Sequence, residues 1–582
     1  MALLSLLLSL LALSSGQPLQ AALAAEDAAS APAAFKLVNL SYAQYQSNVH
    51  LDDGVTSFLG IRYAAPPTGS LRFAAPQAPP TVRGIQNATA QPMQCFQNNI
   101  AGTPGLAVAS PFREDGASNH TSRGPHPHPH PGPHPQPRPN PHPHPGHGFD
   151  GQKRDTDGIS NEDCLFLNVH VPDTPSTPGP LPVVVYIHGG GYDAGNVSLY
   201  PVQDFVKATN FSLVSVSIQY RLGVFGFLGG SEVKNGGALN AGLLDQEFAL
   251  QWVQTHIASF GGDPTKVAIW GQSAGAGSML QHIVAHGGDT QPPLFRAVLA
   301  NSPFLPFQYA FDDPIVEDVY ARVASAVNCS HASDTLACLR AAPATALSAA
   351  DQSVGEANFM EVYTFVPVVD GDFIVERPTV TMARGTVNGQ ALVVSNNAHE
   401  GVLFTVPATL TANNFTLARY ITQLFPRLGS AQVAAAVALY EGTPIPGVGT
   451  DVPSLAAAVI GDAIFVCPGY DMLRAFGDHG WKADFDIPPG THAEDLSYEF
   501  LDFGIPPTFP NADFMRAFRD AFLNTALALD PNAKFEDTIA PQWPAWAGGQ
   551  GGEMLFNQTE GADPQPVVKT VGTDAGQMAR CA

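Results

Sequence analysis

Positive charge is scarce in this chain of 582 residues. Lysine and arginine together number 27 against 51 aspartates and glutamates, which gives a formal net charge of −24. Nucleic acids and anionic membrane surfaces are bound by clusters of basic side chains. The composition therefore argues against both as partners, and solubility is the simplest explanation of the acidic surplus.

Hydrophobic runs long enough to cross a bilayer are also missing. The apolar run at 1–13 is too short for a span and is followed by small residues, as in a secretory signal. We therefore predict a signal peptide over 1–25, with an approximate cleavage site, although the run is not preceded by basic residues. We predict no integral membrane span. The polar C-terminal tract lacks the apolar tail of a GPI signal.

Cysteine is rare, with six in the chain. An even number behind a leader suggests three disulfides, although counting alone leaves the pairing open. Sequons for N-glycosylation suit an extracellular glycoprotein. The chain has eight of them, at Asn39, Asn87, Asn119, Asn196, Asn210, Asn328, Asn414 and Asn557. Together with the leader, these features predict a secreted protein.

Short aliphatic and β-branched runs alternate with helix-like segments such as 243–256. The runs lie at 181–187, 213–218, 266–270, 297–299 and 391–394. Strands separated by helices predict an α/β protein with a largely parallel sheet that is covered on both faces.

A histidine- and proline-rich tract at 124–148 interrupts this pattern. Alternating His-Pro forms neither a helix nor a central strand, so we predict a solvated insertion over about 115–155. Clustered imidazoles can bind zinc or copper, but a tolerated disordered insertion is the simpler interpretation. We assign no metal ligand to it.

The most informative stretch is 266–275, where a β-prone run ends in Gly271-Gln272-Ser273-Ala274-Gly275. A small-residue, helix-compatible segment follows at 276–286. Strand, sharp turn and helix in this order form a nucleophile elbow, which exposes the serine at the carboxyl end of a sheet. In a glycine-rich chain the pentapeptide could also arise by chance, so the remaining residues decide.

A glycine run follows the predicted strand at 181–187. Three successive glycines at 189–191 leave backbone N–H groups free to point at a developing oxyanion. Ala274, the residue after the serine, supplies a further N–H. A phosphate-binding loop is the alternative for such a run, but no Lys-Ser/Thr follows it.

A base and an acid must come after the serine, since chain order behind such elbows is serine, acid, histidine. Beyond Glu400 the chain contains only His479 and His492. His479 lies in a Gly-Asp-His-Gly turn, whereas His492 lies in a loop that enters an apolar stretch, so we prefer His492. Glu400 follows the run at 391–394 and can hold the imidazole; a surface turn glutamate is the alternative. His399 is interpreted as structural.

These residues, with several further blocks, resemble the type-B carboxylesterase/lipase family, the cholinesterase-like branch of the α/β-hydrolases. The resemblance covers about 37–581, and the composition is most like that of secreted fungal members. The further blocks lie at 58–73, 162–169, 220–228, 240–246 and 260–264.

The resemblance implies one α/β-hydrolase domain over 34–582, with a central, mostly parallel sheet flanked by helices and long loops over the site. It implies Ser273 as nucleophile, Glu400 as acid and His492 as base. The oxyanion donors that it implies are Gly190, Gly191 and Ala274. The disulfides that it implies are Cys95–Cys164, Cys329–Cys338 and, less directly, Cys467–Cys581.

Two departures from the choline-cleaving members narrow the substrate. Gln272 precedes the serine, where those members carry glutamate. The loop between Cys95 and Cys164 supplies an aromatic cradle for quaternary ammonium in those members, but here it contains neither tryptophan nor tyrosine. Cation–π recognition of choline is therefore not expected.

The sequence thus predicts a secreted carboxylic ester hydrolase that forms an acyl-enzyme through a Ser-His-Glu triad. Its partner is a small-molecule or lipid ester, and no metal or organic cofactor is implied. A lipase or sterol esterase is the alternative within the enzyme class. A non-catalytic adhesion protein is the alternative outside it, but such family members lack parts of the triad. Acyl and alcohol specificity and oligomeric state are left open.

Overall fold

The computed structural model describes residues 36–50, 53–98, 160–358, 364–411, 415–442, 444–549 and 551–582. The predicted signal peptide and the histidine- and proline-rich insertion lie outside the described residues. Within the described residues, thirteen strands are formed. They are β1 Leu37–Leu40, β2 Ala43–His50, β3 Val55–Arg62, β4 Ile85–Ala88, β5 Phe166–Pro172, β6 Leu181–Ile187, β7 Val214–Ile218, β8 Gly262–Gln272, β9 Ala297–Asn301, β10 Ala391–Asn397, β11 Gly480–Phe485, β12 Glu553–Gln558 and β13 Pro566–Val571.

The strands form a mixed sheet in the order β1-β2-β3-β5-β7-β6-β8-β9-β10-β11-β12-β13, and β4 pairs with β2. The seven strands from β7 to β12 in this order are parallel, and antiparallel pairs extend the sheet at both ends. The five runs predicted from the sequence are β6 to β10. The carboxyl ends of the parallel strands therefore meet at one edge.

Both faces of the central strands are buried, which explains the continuous apolar runs of β6 and β9, whereas β7 alternates aliphatic residues with buried serines. On β6, Val183 and Val185 belong to one hydrophobic cluster, while Val184 and Tyr186 belong to the other. This alternation follows from the two-residue period of a strand. Trp270 on β8 is fully buried on the second face. Burial on both faces fixes the sheet and with it the strand ends.

Helices cover the two faces of the sheet. Within the described residues, seventeen α-helices are formed. They are α1 Gln203–Ala208, α2 Gly223–Phe227, α3 Ser231–Gly236, α4 Ala241–His256, α5 Ala274–Val284, α6 Pro314–Ala326, α7 Thr335–Ala341, α8 Ala344–Glu356, α9 Pro378–Ala383, α10 Pro407–Thr411, α11 Leu417–Leu424, α12 Ser430–Glu441, α13 Val452–Gly461, α14 Cys467–Phe476, α15 Leu496–Glu499, α16 Ala512–Ala528 and α17 Ala575–Arg580.

Helices α13 and α14 are joined by a π-helical turn, Asp462–Val466, so that Val452–His479 forms one helical stretch. This stretch of 28 residues is long and apolar enough to cross a membrane, but 61% of its most apolar window is buried inside the protein. Gly401 packs against it so closely that a Cβ there would lie 1.8 Å from the carbonyl oxygen of Ala457. The helical stretch Val452–His479 is therefore a core helix of this fold.

Three disulfides are formed, and they are the pairs that the resemblance implies: Cys95–Cys164, Cys329–Cys338 and Cys467–Cys581. The first and the last join distant parts of the chain, whereas Cys329–Cys338 closes a local loop. Two buried ion pairs join the sequence blocks that carry the resemblance. Arg72 binds Glu162 through Nε at 2.6 Å, and Arg221 binds Asp245 through Nη2 at 2.7 Å. These blocks thus include charged residues that link separate segments of the fold through ion pairs.

Candidate active site

Ser273 lies between the last residue of β8 and the first residue of α5. Its backbone has φ 58° and ψ −126°, which is a strained conformation for a residue with a side chain. The turn closes against β6, where a Cβ on Gly275 would lie 2.1 Å from the carbonyl oxygen of Ile187. Glycine is therefore required beside the serine, and the strand–turn–helix prediction is confirmed.

His492 lies between Ser273 and Glu400. Its Nε2 atom is 2.9 Å from Ser273 Oγ, and its Nδ1 atom is 2.6 Å from Glu400 Oε2. All three side chains are buried. The rings of Phe404 and Phe465 pack on the imidazole with centroid distances of 5.0 and 4.4 Å. The structure thus brings together the three residues that the sequence nominated, with the imidazole held on both nitrogens.

Glu400 begins the turn that follows β10, at the same sheet edge as Ser273. Its Oε1 atom accepts hydrogen bonds from Ser302 Oγ at 2.6 Å and from the Asn397 N–H at 2.8 Å. Burial by itself would raise the pKa of Glu400. The adjacent His492 and these hydrogen bonds outweigh burial and hold its pKa below the ordinary value. The carboxylate is therefore ionised and oriented toward the imidazole.

A buried polar network behind Glu400 was missed by the sequence reasoning. Asn397 Nδ2 donates to Ser302 Oγ at 3.2 Å and to Asp495 Oδ1 at 3.1 Å, and Asn301 Nδ2 donates to Asp495 Oδ2 at 3.0 Å. Burial raises the pKa of Asp495, against the lowering effect of the two amides. Their positions in the sequence could have indicated these residues, because Asn301, Ser302 and Asn397 lie at the carboxyl ends of β9 and β10.

The glycine loop after β6 reaches the nucleophile elbow. A Cβ at Gly189 would lie 2.6 Å from the carbonyl oxygen of Gln272, so only glycine allows this approach. Gly190 and Gly191 have φ values of 112° and 67°. Among the described residues, the backbone N–H groups of Gly190, Gly191 and Ala274 have no hydrogen-bond acceptor. Within the described part of the chain, these three backbone N–H groups are therefore unpaired, two in the glycine loop and one in the residue after the serine.

Three further residues considered in the sequence analysis, His479, His399 and Gln272, are not members of the triad. His479 ends an exposed turn after α14, away from the sheet edge that holds the serine. His399 donates its backbone N–H to the carbonyl of Gly490 at 2.8 Å, which ties the acid's turn to the histidine loop. Gln272 Nε2 lies 3.3 Å from His492 Nε2 and brings no charge to the site.

The described part of the chain contains no group of three or more His, Cys, Asp or Glu side chains placed to hold a metal ion. The histidines of the tract at 124–148 lie outside the described residues.

Two buried carboxyl groups lie behind the glycine loop. Asp193 follows the loop, and its N–H donates to the Gly190 carbonyl at 3.0 Å. Asp351 on α8 lies against Gly223, where a Cβ would come within 2.1 Å of Asp351 Oδ2, and the Gly223 N–H donates to the carbonyl of Tyr192 at 2.8 Å. In the described structure, the Oδ1 atom of each aspartate is buried without a hydrogen-bond partner. The pair therefore favours the protonated state.

The pKa values agree with this geometry. Burial, and then the charge of Asp351, raise the pKa of Asp193 well above its ordinary value. Burial raises the pKa of Asp351 to about 8, although hydrogen bonds from the Val224 backbone and the Asn98 side chain act in the opposite direction. An unfolded chain releases both protons near pH 4. The folded protein thus holds more protons than the unfolded chain between about pH 4 and 8.

Stability is therefore expected to fall as the pH rises through this window, by about 1.4 kcal/mol per pH unit for each proton held. Asp351→Asn removes one such proton, so its free energy of unfolding should fall less between pH 5 and pH 8 than that of the wild type. Urea unfolding at several pH values measures the difference. Asp478→Asn, at an exposed position, is the control. Equal pH dependence in wild type and Asp351→Asn would contradict the assignment.

A serine on a strand–turn–helix elbow, at the carboxyl edge of a mixed sheet covered by helices, defines an α/β-hydrolase fold. The chain of Aspergillus niger EstA superimposes on it with a TM-score of 0.74 at 27% identity, covering 94% of this chain and 97% of that chain. The similarity extends over almost the whole of both proteins.

The model of the Carboxylesterase family matches residues 42–562. "Secreted triacylglycerol lipase LIP1" of Gibberella zeae is 30% identical over 521 residues, covering 84% of this chain and 82% of that protein. "Carboxylesterase patB" of Aspergillus clavatus is 28% identical over 552 residues, covering 90% and 92%. The chain belongs to the carboxylesterase family, and it is a carboxylic ester hydrolase.

Proposed function

We propose that the protein is a secreted ester hydrolase in which Ser273, His492 and Glu400 act as nucleophile, base and acid through an acyl-enzyme. The observation that carries the proposal is the single imidazole with Nε2 at 2.9 Å from the serine oxygen and Nδ1 at 2.6 Å from the carboxylate. A histidine held on both nitrogens can accept the serine proton at Nε2 while its Nδ1–H remains hydrogen-bonded to the carboxylate.

In the first half of the reaction, His492 Nε2 takes the proton of Ser273 as Oγ attacks the ester carbonyl. Glu400 stays ionised and stabilises the imidazolium, which suits a carboxylate whose pKa lies below the ordinary value. The negative charge on the former carbonyl oxygen is held by the amides of Gly190, Gly191 and Ala274. The imidazolium then gives its proton to the leaving alcohol, and the acyl group remains on Ser273.

In the second half, a water molecule takes the place of the alcohol. His492 removes a proton from the water as its oxygen attacks the acyl carbon, and the same three amides hold the oxyanion. The proton then returns to Ser273 Oγ, and the carboxylic acid is released. The polar network from Ser302 to Asp495 keeps Glu400 oriented through both halves.

For the substrate, we propose an ester with an uncharged alcohol. Gln272 brings no negative charge beside the serine to attract a cationic alcohol. A lipase acting on lipid esters is the second candidate, because the Gibberella zeae relative is named as a triacylglycerol lipase. Secretion is supported by that relative's name and by the three disulfides, which persist in oxidising compartments. A complete set of triad side chains argues against a non-catalytic adhesion protein.

An acyl-length series of chromogenic esters, with a triacylglycerol and a steryl ester, tests the proposal. We expect hydrolysis of short, soluble esters, with a rate that saturates below the solubility limit. A rate that rises sharply once the substrate forms an interface would favour the lipase instead. Absence of hydrolysis with every ester, by a folded protein, would overturn the proposed function.

A further inference from the structure

Strands β1, β2 and β4 form a small sheet with one buried and one outward face. Across these strands, Asn39 pairs with Gln44, which pairs with Ile85, and Leu37 pairs with Gln46, which pairs with Asn87. Paired residues, and residues two apart on one strand, point to the same side of a sheet. All six side chains therefore lie on one face. On the opposite face Val38, Leu40, Ala43, Tyr45 and Ala88 are buried, and Gln86 is half-buried.

Two large apolar side chains stand on the outward face. Leu37 is 54% exposed and Ile85 is 52% exposed. Each precedes a sequon asparagine by two residues on its own strand, at a separation of about 7 Å. Each also lies across β2 from the other asparagine, at about two strand spacings or 9.6 Å. Every exposed aliphatic residue of this face thus has a sequon asparagine on two sides.

The folded protein has room for a glycan on both of these asparagines. Asn39 and Asn87 are exposed, and neither side chain makes a hydrogen bond within the described residues that a glycan would break. The sequon at Asn196 is the opposite case, with only 7% of the residue exposed. Its Nδ2 donates to Gln94 Oε1 at 2.8 Å, and its Oδ1 accepts from the Ser198 N–H at 2.9 Å. A glycan on Asn196 would break this packing.

We propose that Asn39 and Asn87 both carry N-linked glycans, and that these glycans cover the apolar outward face of the β1–β2–β4 sheet. The donor class is a lipid-linked oligosaccharide diphosphate. The asparagine Nδ2 forms a bond to C1 of the first sugar as the bond from C1 to the phosphate oxygen breaks. The diphosphate leaves with the bonding electrons, and the amide gives up one proton. The proposal rests on the extracellular location proposed above.

The covering role follows from the character of this sheet. Strand β1 is an edge strand, whose unpaired backbone groups can pair with another chain. Exposed aliphatic residues beside such an edge favour association, because their contact with water is unfavourable. A bulky, hydrated glycan on the same face blocks the approach of a second sheet. Its first sugars can pack over Leu37 and Ile85.

Site occupancy is the first test. The full chain is secreted from a eukaryotic host and deglycosylated enzymatically in heavy-oxygen water, so that each occupied asparagine becomes a labelled aspartate in peptide mass spectra. We expect label at Asn39 and Asn87 and none at Asn196. An unlabelled Asn39 or Asn87 would overturn the proposal, as would label at Asn196. Ester hydrolysis is measured on the same sample, so failure of the proposed enzyme function is seen separately.

The covering role is tested by removing the glycans. The double variant Asn39→Gln and Asn87→Gln is expected to at least double the mean mass in light scattering, through association. Adding Leu37→Thr and Ile85→Thr to it should restore the number of chains per particle found for the wild type, after allowance for the missing glycans. Asn328→Gln, which removes an exposed sequon outside this face, is the matched control and should leave the number of chains per particle unchanged. A double variant that does not associate more than the wild type would contradict the covering role. A quadruple variant that stays associated would contradict the part assigned to the two aliphatic residues.

Discussion

Ser273→Ala is expected to lower kcat for ester hydrolysis by roughly 10⁵–10⁶-fold, because the variant has no oxygen to form the acyl-enzyme. A residual rate above that of water should remain, since the amides of Gly190, Gly191 and Ala274 can still hold an oxyanion. The replacement keeps a Cβ at a backbone position that already accepts one. Kinetics with a soluble chromogenic ester, beside thermal unfolding of the same sample, measure the effect.

Ser278→Ala provides the matched control for this change. Ser278 lies one turn further along α5, is buried, and donates its hydroxyl to the carbonyl of Ala274 at 3.0 Å. Its oxygen also accepts a hydrogen bond from buried Gln246 Nε2 at 2.9 Å, so losing it is expected to lower stability by about 1–3 kcal/mol without removing the nucleophile. Its kcat should stay within tenfold of the wild type. A Ser273→Ala protein that folds and retains most of its turnover would contradict the nucleophile assignment.

His492→Ala is expected to have the second largest effect, a loss of roughly 10⁵-fold or more in kcat. Without the imidazole, the serine keeps its proton and Glu400 is left buried beside an empty space. Some loss of stability is also expected, since an ionised carboxylate loses its main partner. The measurement is the same ester kinetics at saturating substrate.

The control for the base is His479→Ala. His479 is the other histidine that follows Glu400, and it is exposed on the turn after α14. Its replacement should change neither kcat nor KM noticeably. If His479→Ala lost as much activity as His492→Ala, the choice between the two histidines would be wrong.

Most of the parallel core of the sheet could be predicted from the sequence, because strands β6 to β10 carry short runs rich in aliphatic residues. The parallel strands β11 and β12 could not be, because polar and charged residues interrupt them even though β11 is buried on both faces. Among the outer strands, one that is buried on a single face alternates apolar and polar residues over only a few positions. Strand β1, with the sequence Leu-Val-Asn-Leu and alternate exposed and buried residues, is an example.

Part of the candidate site could also be nominated from the sequence. Ser273 and Glu400 follow predicted strands, and only two histidines remained for the base. The polar network of Ser302, Asn397 and Asp495 could not be nominated, because its hydrogen bonds depend on the register between β9 and β10 and on the path of the loop after β11. A strand that is buried on both faces has no alternation of apolar and polar residues to fix its register, and β9 and β10 are of this kind.

The contacts that distant segments make around the site likewise could not be predicted from the sequence. Asp193 and Asp351 lie far apart in the chain, and no sequence pattern marks them as a pair. Phe465 reaches His492 from the π-helical turn between α13 and α14, which interrupts an otherwise regular apolar helix. Such turns arise from packing in the folded protein and are frequent at functional sites.

Covalent labelling tests most directly whether Ser273 is a nucleophile activated by His492. The folded wild-type protein is treated with a fluorophosphonate, which phosphonylates an activated serine, and the modified peptide is identified by mass spectrometry. We expect one phosphonyl group per chain, on Ser273, and almost no labelling in His492→Ala. Labelling at another residue, or a folded wild-type protein that takes up no label, would contradict the account.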